Sequence, residues 1–208
     1  MLGICTNSLN NCFDDLLDIQ QYLDTFECSK TFYIDNFQKI DRIKLNCSCF
    51  NSLILGNYDL TTPSGRKHFV TEFEETCRMA NDLNCKKLMF GLLRYRKVIN
   101  SDITKLFIEL IDIANDYKLA LLYEALSESQ WITNHSQLID FSKHHNLPSI
   151  HVDFGTLKNE HETFNDLRYN ISNIHYPIGL PIMYDNVSLE NYNNYSIKEI
   201  KTWIRSLL

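Results

Sequence analysis

Short apolar segments alternate with longer amphipathic segments along most of this chain. Several of the short segments end in a polar or charged residue, as in Ala-Leu-Leu-Tyr-Glu at positions 120–124, and the long ones carry apolar residues at helical spacing. Such alternation is typical of parallel strands that are connected by helices. The pattern therefore predicts an α/β protein with a parallel sheet.

The apolar segments predict eight strands, and the amphipathic segments predict six helices. The predicted strands are residues 2–6, 31–34, 43–47, 87–91, 120–124, 149–153, 171–175 and 187–190. The predicted helices are residues 11–22, 63–83, 102–117, 134–145, 157–170 and a last helix over 197–207 that begins with an S-x-x-E capping box. These elements predict a compact (β/α)8 TIM barrel. Its crossover helices between strands two and three and between strands seven and eight would be shortened or missing.

The length of the chain fits one barrel. A chain of 208 residues is long enough for a complete core, although barrels of this kind typically have about 250 residues. The sequence has no internal repeat, low-complexity run or linker-like segment, so we expect residues 1–208 to form a single domain. A barrel without helices on two sides would expose apolar strand surface, and we expect homodimerisation over that surface.

Charge and cysteine content narrow the classes of protein that fit. The net charge is −6 and the pI is near 5.6, which does not suit a nucleic-acid binder. No apolar segment approaches the roughly 20 residues of a membrane span, and no signal-peptide pattern is present. The seven cysteines follow neither a zinc motif nor a disulfide framework. We therefore expect reduced, mostly buried thiols in a cytoplasmic protein.

Residues able to bind a cation stand at the ends of four successive predicted strands. The residues that end strands five to eight are Glu124, Asp153, His175 and Glu190. Carboxylate oxygens and imidazole nitrogens are ligands of divalent ions. In a parallel barrel the carboxyl ends of the strands meet at one face, where active sites lie. The set therefore predicts a site for one divalent metal ion, which would be Mn, Co, Zn or Mg.

Three segments resemble the xylose isomerase-like TIM barrels, a group that includes sugar and sugar-phosphate isomerases and epimerases and the endonuclease IV type enzymes. Residues 80–91, Ala-Asn-Asp-Leu-Asn-Cys-Lys-Lys-Leu-Met-Phe-Gly, are similar to the passage from a helix into strand four. Residues 122–126, Leu-Tyr-Glu-Ala-Leu, resemble the fifth strand with its metal-binding glutamate. Residues 184–190, Tyr-Asp-Asn-Val-Ser-Leu-Glu, resemble the last strand, which ends in a second glutamate.

The resemblance implies a function as well as a fold. It implies that the four strand-end residues bind one divalent ion and that Glu124 and Glu190 are catalytic. In such enzymes one glutamate removes the proton next to the carbonyl of a ketose and the other returns it, through an enediolate whose charge the metal stabilises. The implied function is a metal-dependent sugar or sugar-phosphate isomerase or epimerase.

Two further residues are candidates for binding the substrate. His151 lies two residues before Asp153 and would share its side of the strand. It would bind substrate, add a fifth metal ligand or be an interior histidine of the barrel. Arg96 follows strand four and, together with Arg94, would hold a phosphate or carboxylate, unless both are ordinary surface residues.

The chain departs from the resembled family in its substrate-binding segments. The family often has Asp-x-x-His on strand six, where this chain has Thr156 in place of the histidine. After His175 it has Tyr-Pro-Ile-Gly-Leu-Pro, where many members carry Lys-Asp or an arginine. Two alternatives stay open. One is a barrel that has lost turnover and acts as a binding module. The other is an endonuclease IV-like phosphodiesterase, which the acidic charge and the scarcity of histidines at strand ends disfavour.

Overall fold

Eight parallel strands close into a barrel in the computed structural model, in the chain order β1 to β8. The structure describes residues 2–52, 58–91, 100–124, 132, 134–144, 150–153, 171–178, 187–190 and 193–207. The strands are β1 (Leu2–Cys5), β2 (Thr25–Ser29), β3 (Asn46–Ser52), β4 (Lys87–Gly91), β5 (Ala120–Glu124), β6 (Ile150–Asp153), β7 (Ile171–Pro177) and β8 (Val187–Glu190). The pairing of β8 with β1 completes the ring. The predicted (β/α)8 TIM barrel is confirmed.

Helices pack around the outside of this ring. The described helices are α1 (Phe13–Ile19), α2 (Lys30–Asn36), α3 (Pro63–Asp82), α4 (Asn100–Asp116), α5 (His135–His144) and α6 (Ile197–Ser206). The outer core between helices and strands includes the buried side chains of Ile4, Phe26, Phe50, Phe90 and Tyr123. Among the helices that the structure describes, none is both long and apolar enough to cross a membrane.

The prediction for the second strand is wrong. Residues 31–34 lie in α2, and the second strand is β2, which comes before them. The helix starts here because the Ser29 hydroxyl accepts a hydrogen bond from the Phe32 N–H at 3.0 Å and so caps its first turn. Phe32 and Tyr33 are both buried while Ile34 is 56% exposed, which is a helical pattern of burial rather than an alternating one.

The third strand is also shifted from its predicted position. It is β3, which begins at Asn46 rather than at residue 43. Between β2 and β3 the chain forms α2, of 7 residues, and a 3-10 segment, Phe37–Arg42. This crossover helix is therefore shortened and not missing. The predicted helix over 157–170 and most of the connection between β7 and β8 lie outside the described residues.

The other predicted elements are confirmed, with shifts of a few residues at their ends. The capping box of α6 is present, because the Ser196 N–H donates to Glu199 Oε2 at 2.8 Å and the Ser196 hydroxyl accepts from the Glu199 N–H. The Ser196 hydroxyl and N–H hold the pKa of Glu199 below its ordinary value. Leu207, the last residue of the predicted helix, follows the observed end of α6 and is 38% exposed.

Residues in the left-handed conformation lie in the turns that connect two helices to the strands that follow them. Asn84, between α3 and β4, has a φ of 53°, and Lys118, before β5, has a φ of 58°. Next to Asn84, the Cys85 N–H donates to the Ala80 carbonyl oxygen at 3.0 Å. Such bonds satisfy carbonyl groups at the end of a helix. They also fix the point at which the following strand begins.

Gly65, in the first turn of α3, is packed against the backbone of the preceding turn. A Cβ at this position would lie 2.0 Å from the Asp59 carbonyl oxygen. The same carbonyl oxygen accepts hydrogen bonds from the N–H and hydroxyl of Thr62, and the Thr62 hydroxyl in turn accepts from the Gly65 N–H at 3.1 Å. A side chain at position 65 would therefore disrupt the cap of the helix.

We expect Gly65→Ala to lower the free energy of unfolding by about 1–3 kcal/mol, although alanine is the better helix former. Urea denaturation measures the effect. Ser64→Ala is the matched control, because Ser64 is exposed in the same turn, and it should change stability by less than about 0.5 kcal/mol. Equal losses in both variants would contradict the packing argument.

Candidate active site

The side chains inside the barrel divide into an apolar and a polar group. The apolar group contains Cys49, Met89 and Leu122, which are buried together on β3, β4 and β5. The polar group lies toward the carboxyl ends of β1, β2, β3 and β7, where active sites of such barrels are built. We call it the carboxyl-end cluster, and its members are the buried residues Cys5, Glu27, Asn51 and His175.

Glu27 is the centre of the carboxyl-end cluster. Its Oε1 lies 2.7 Å from His175 Nε2 and accepts a hydrogen bond from Asn51 Nδ2 at 2.9 Å. Glu27 is fully buried, and His175 is 2% exposed. A carboxylate removed from water is costly unless it is paired and hydrogen-bonded. His175 and Asn51 provide that compensation from opposite sides of β2 in the ring of strands.

Three kinds of metal ligand meet in the carboxyl-end cluster. One ligand atom each from Cys5, Glu27 and His175 lies within 4.8 Å of the other two. Thiolate, carboxylate and imidazole are all ligands of zinc, and imidazole and carboxylate also suit other first-row ions. Within the part of the chain that the structure describes, this is the one group of three such residues. The donor set fits a divalent ion of borderline softness.

A buried hydroxyl next to His175 adds to the polarity of the lumen. Ser188 pairs with Gly3 on β1 and with His175 on β7. It is 1% exposed, and its Oγ has no hydrogen-bond partner among the described residues. Buried hydroxyls are usually paired. The side of the lumen next to His175 therefore suits a polar ligand.

The register between β2 and β3 decides which side chains reach the lumen. Phe26 pairs with Cys47, whereas Glu27 pairs with Cys49, so Ser48 is an extra residue in β3. The Ser48 hydroxyl donates to the Phe26 carbonyl oxygen at 3.1 Å. Bulges of this kind re-aim the side chains that follow them. Here Cys47 packs against the outer core, and Cys49 belongs to the apolar group inside.

Cys49 is beside the carboxyl-end cluster but remains a neutral thiol. Burial raises its pKa well above the usual value, and the negative charge of Glu27 raises the pKa further. A protonated thiol is a poor metal ligand. Cys49 therefore belongs to the apolar group of the lumen, beside the carboxyl-end cluster.

The structure describes the side chains of two of the four predicted metal ligands, and both side chains lie in the lumen. His175 belongs to the carboxyl-end cluster. Glu124 is the last residue of β5, is 8% exposed and lies on the same face as Leu122. Both residues are thus buried at the end of the barrel where the site is predicted.

For three of the other predicted site residues the structure describes the backbone alone, and the fourth lies outside the described residues. Asp153 pairs with His175, His151 pairs with Asn173, and Glu190 pairs with Pro177. Asp153 and Glu190 are therefore the last residues of β6 and β8, next to β7, and His151 is two residues before the end of β6. Arg96 lies outside the described residues. The roles of these residues stay predictions.

Cys5, Glu27 and Asn51 are not among the predicted site residues. Glu27 is missed because the second strand is predicted at residues 31–34, which makes residues 25–29 a connection. A signal was nevertheless present. In Thr-Phe-Glu-Cys-Ser a lone carboxylate stands between two apolar residues, two positions before a serine that can cap a helix.

Solved structures match the chain over almost its whole length. The IolI protein with a bound zinc atom has a TM-score of 0.75 at 15% identity, and the match covers 99% of this chain and 95% of that chain. D-psicose 3-epimerase from Clostridium cellulolyticum H10, solved with D-tagatose, has a TM-score of 0.74 at 12% identity, covering 99% and 96%. The probable 3-DHS dehydratase AsbF from Bacillus anthracis has a TM-score of 0.75 at 12% identity, covering 99% and 98%.

The likeness to these structures is one of fold. No protein-family profile matches the chain, and no curated protein sequence matches it. The solved structures that do match include sugar epimerases and a sugar phosphate isomerase/epimerase. The resemblance to the xylose isomerase-like TIM barrels is therefore confirmed for the fold.

Asn51→Ala tests whether the buried carboxylate depends on its neighbours. The substitution removes one hydrogen-bond donor from Glu27, and we expect it to lower the free energy of unfolding by about 1–3 kcal/mol. Asn46→Ala is the matched control, because Asn46 is exposed on the same strand and should change stability by less than about 0.5 kcal/mol. Urea denaturation in the presence of a chelator measures both. A loss no larger than that of the control would show that Asn51 does not support Glu27.

Proposed function

We propose that this protein is a metal-dependent sugar or sugar-phosphate isomerase or epimerase. The observation that carries the proposal is the buried contact between Glu27 and His175 at the carboxyl ends of the strands. A carboxylate is costly to remove from water, so the presence of Glu27 in the lumen favours a functional site. Proteins of this fold that are named as sugar epimerases, D-psicose 3-epimerase and L-ribulose 3-epimerase, support the substrate class.

We propose that the site holds one divalent ion, Mn, Co, Zn or Mg, with His175 as a ligand. The proposed carboxylate ligands are Glu124, Asp153 and Glu190, whose positions are at the ends of β5, β6 and β8. The zinc atom bound by the IolI protein supports this choice of cofactor. When bound, the ion would be a Lewis acid that stabilises negative charge on a substrate oxygen.

Glu27 is proposed to orient His175. A His175 Nε2–H that donates to Glu27 puts the lone pair of the ring on Nδ1, the nitrogen that would then coordinate. Carboxylate–histidine pairs of this kind fix the tautomer of a metal ligand and raise its basicity. Cys5, within 4.8 Å of both residues, would add a thiolate donor that favours Zn or Co over Mg.

Glu124 and Glu190 are proposed to transfer the proton. A carboxylate that is largely removed from water, as Glu124 is at 8% exposure, can be tuned as a general base. One glutamate would take the proton from the carbon next to the carbonyl, and the other would return it on the other face. His151 and Arg96 are proposed to bind the hydroxyl or phosphate oxygens of the substrate.

We expect the wild-type protein to bind about one divalent ion per chain after loading with Mn, Co, Zn or Mg, and His175→Ala to lose it. Elemental analysis of dialysed protein measures the stoichiometry. His144→Ala is the matched control, because His144 is exposed in the last turn of α5, and it should keep the ion. A wild type without stoichiometric metal, or a His175→Ala variant that retains it, would rule out the proposed site.

We expect Glu124→Gln and Glu190→Gln each to slow proton exchange by about 10²–10⁴-fold, because each removes one acid–base group. Solvent deuterium incorporated next to the carbonyl, across a panel of ketoses and ketose phosphates, measures the exchange. Glu75→Gln, an exposed glutamate on α3, is the control. Sugar binding by the wild type without any exchange would support the binding-module alternative instead.

A homodimer and a cytoplasmic location are also proposed for this protein. Sedimentation velocity of the full chain tests the first, and a monomer at micromolar concentration would rule it out. Localisation of the tagged chain in its cell of origin tests the second.

A further inference from the structure

Two thiols lie in contact on the outer side of the barrel wall, away from the carboxyl-end cluster. Cys47 is the second residue of β3, and Cys85 is in the turn between α3 and β4. Their sulfur atoms are 2.8 Å apart. Both residues are free cysteines; Cys85 is 2% exposed, and Cys47 is half-buried. The pair therefore joins a half-buried cysteine to a buried one.

The turn after α3 brings Cys85 against Cys47. The Cys85 thiol also donates to the Cys47 carbonyl oxygen at 3.5 Å, and the left-handed Asn84 fixes the turn before Cys85. The strands that follow the two cysteines are neighbours, because Phe50 on β3 pairs with Leu88 on β4. Since a disulfide has an S–S distance of about 2.05 Å, the two sulfur atoms need to approach each other by less than about 1 Å.

The surroundings activate one thiol and protect the other. Burial acts to raise the pKa of Cys47, but hydrogen bonds from the thiols of Cys28 and Cys85 outweigh it and lower the pKa to about 5. The hydrogen bond to Cys47 and burial raise the pKa of Cys85 far above its usual value. A thiolate next to a protonated thiol is the arrangement of an attacking and a resolving cysteine.

An open cleft gives small molecules access to Cys47. The cleft has a volume of about 320 Å³, and its lining includes Cys47, Asn46 and the carboxylates Asp41 and Asp82. The two carboxylates disfavour anionic oxidants such as the disulfides of acidic peptides. A neutral hydroperoxide is small enough for the cleft and meets no such repulsion.

We propose that Cys47 and Cys85 are an oxidation site at which a hydroperoxide forms a reversible disulfide. With hydrogen peroxide, the Cys47 thiolate attacks one oxygen, the O–O bond breaks to give the sulfenic acid of Cys47 and hydroxide, and the hydroxide takes a proton from solvent to become water. The Cys85 sulfur then displaces the sulfenic oxygen, which leaves as a second water with the proton of the Cys85 thiol. Two thiols are oxidised, one peroxide is reduced, and a dithiol reductant reverses the reaction.

The disulfide would tie the start of β3 to the start of β4. It would close a loop with a sequence separation of 38 residues, which includes α3. Closing a loop of this length restricts the unfolded chain and raises Tm, on the order of 5–10 °C for a chain of this size. The oxidised protein should therefore be more resistant to heat than the reduced protein.

The test uses the full chain, reduced and then treated with stoichiometric hydrogen peroxide. We expect the intact mass to fall by about 2 Da, as two thiols lose their hydrogens. A non-reducing tryptic digest should link the peptide over 45–66 to the peptide over 79–86 through Cys47 and Cys85, although the first peptide also contains Cys49. Dithiothreitol should restore the mass and the lower Tm.

Variants identify the order of the two steps. Cys85→Ser should stop at the sulfenic acid of Cys47, which dimedone labels, and Cys47→Ser should not react at this site. Cys12→Ser is the control, because Cys12 is exposed and lies outside the pair, and it should form the disulfide at the wild-type rate. A link between any other two cysteines, or oxidation of Cys12 before Cys47 in the wild type, would overturn the proposal.

Discussion

The burial of the Glu27 carboxylate inside a closed barrel is the constraint on which the rest of the site depends. With water excluded, the charge must be balanced by groups from neighbouring strands, and His175 and Asn51 both contact the same oxygen atom. This requirement fixes the rotamers of three side chains on three strands. The apolar group on β3 to β5 then fills the part of the lumen that needs no such compensation. The polarity of the lumen is thus uneven, and its polar side defines where a ligand can bind.

Most of the barrel can be predicted from the sequence because β4 and β5 are largely apolar runs and because β5, β6 and β8 each end in a carboxylate. The hydrophobic pattern predicts the wrong position for β2, because the more strongly apolar run at residues 31–34 belongs to a helix that Ser29 caps. Periodicity alone does not separate a short apolar strand from a short buried helix. The helix cap at Ser29 decides between the two. It is a single hydrogen bond, and a hydrophobicity pattern does not show it.

The candidate site is predictable to the extent that it follows strand ends. His175 and Glu124 are found where the pattern predicts them, because the carboxyl end of each parallel strand lies at one face. Glu27 is in the middle of its strand, and its contact with His175 joins residues separated by 148 positions. Local sequence does not specify such a contact. It follows only from closure of the ring between β8 and β1, which brings β7 and β2 near each other.

The extra residue in β3 has a consequence for how this chain is compared with others. Ser48 reverses the inward and outward pattern of the strand, because a shift of one residue exchanges the two faces of a strand. An alignment that places no gap at this position would equate lumen residues of one barrel with helix-facing residues of another. Homologues at low identity would then lack an apparent counterpart of Asn51 or Cys47 even where one exists. Searches for either feature should therefore start from structural superposition and not from aligned sequence.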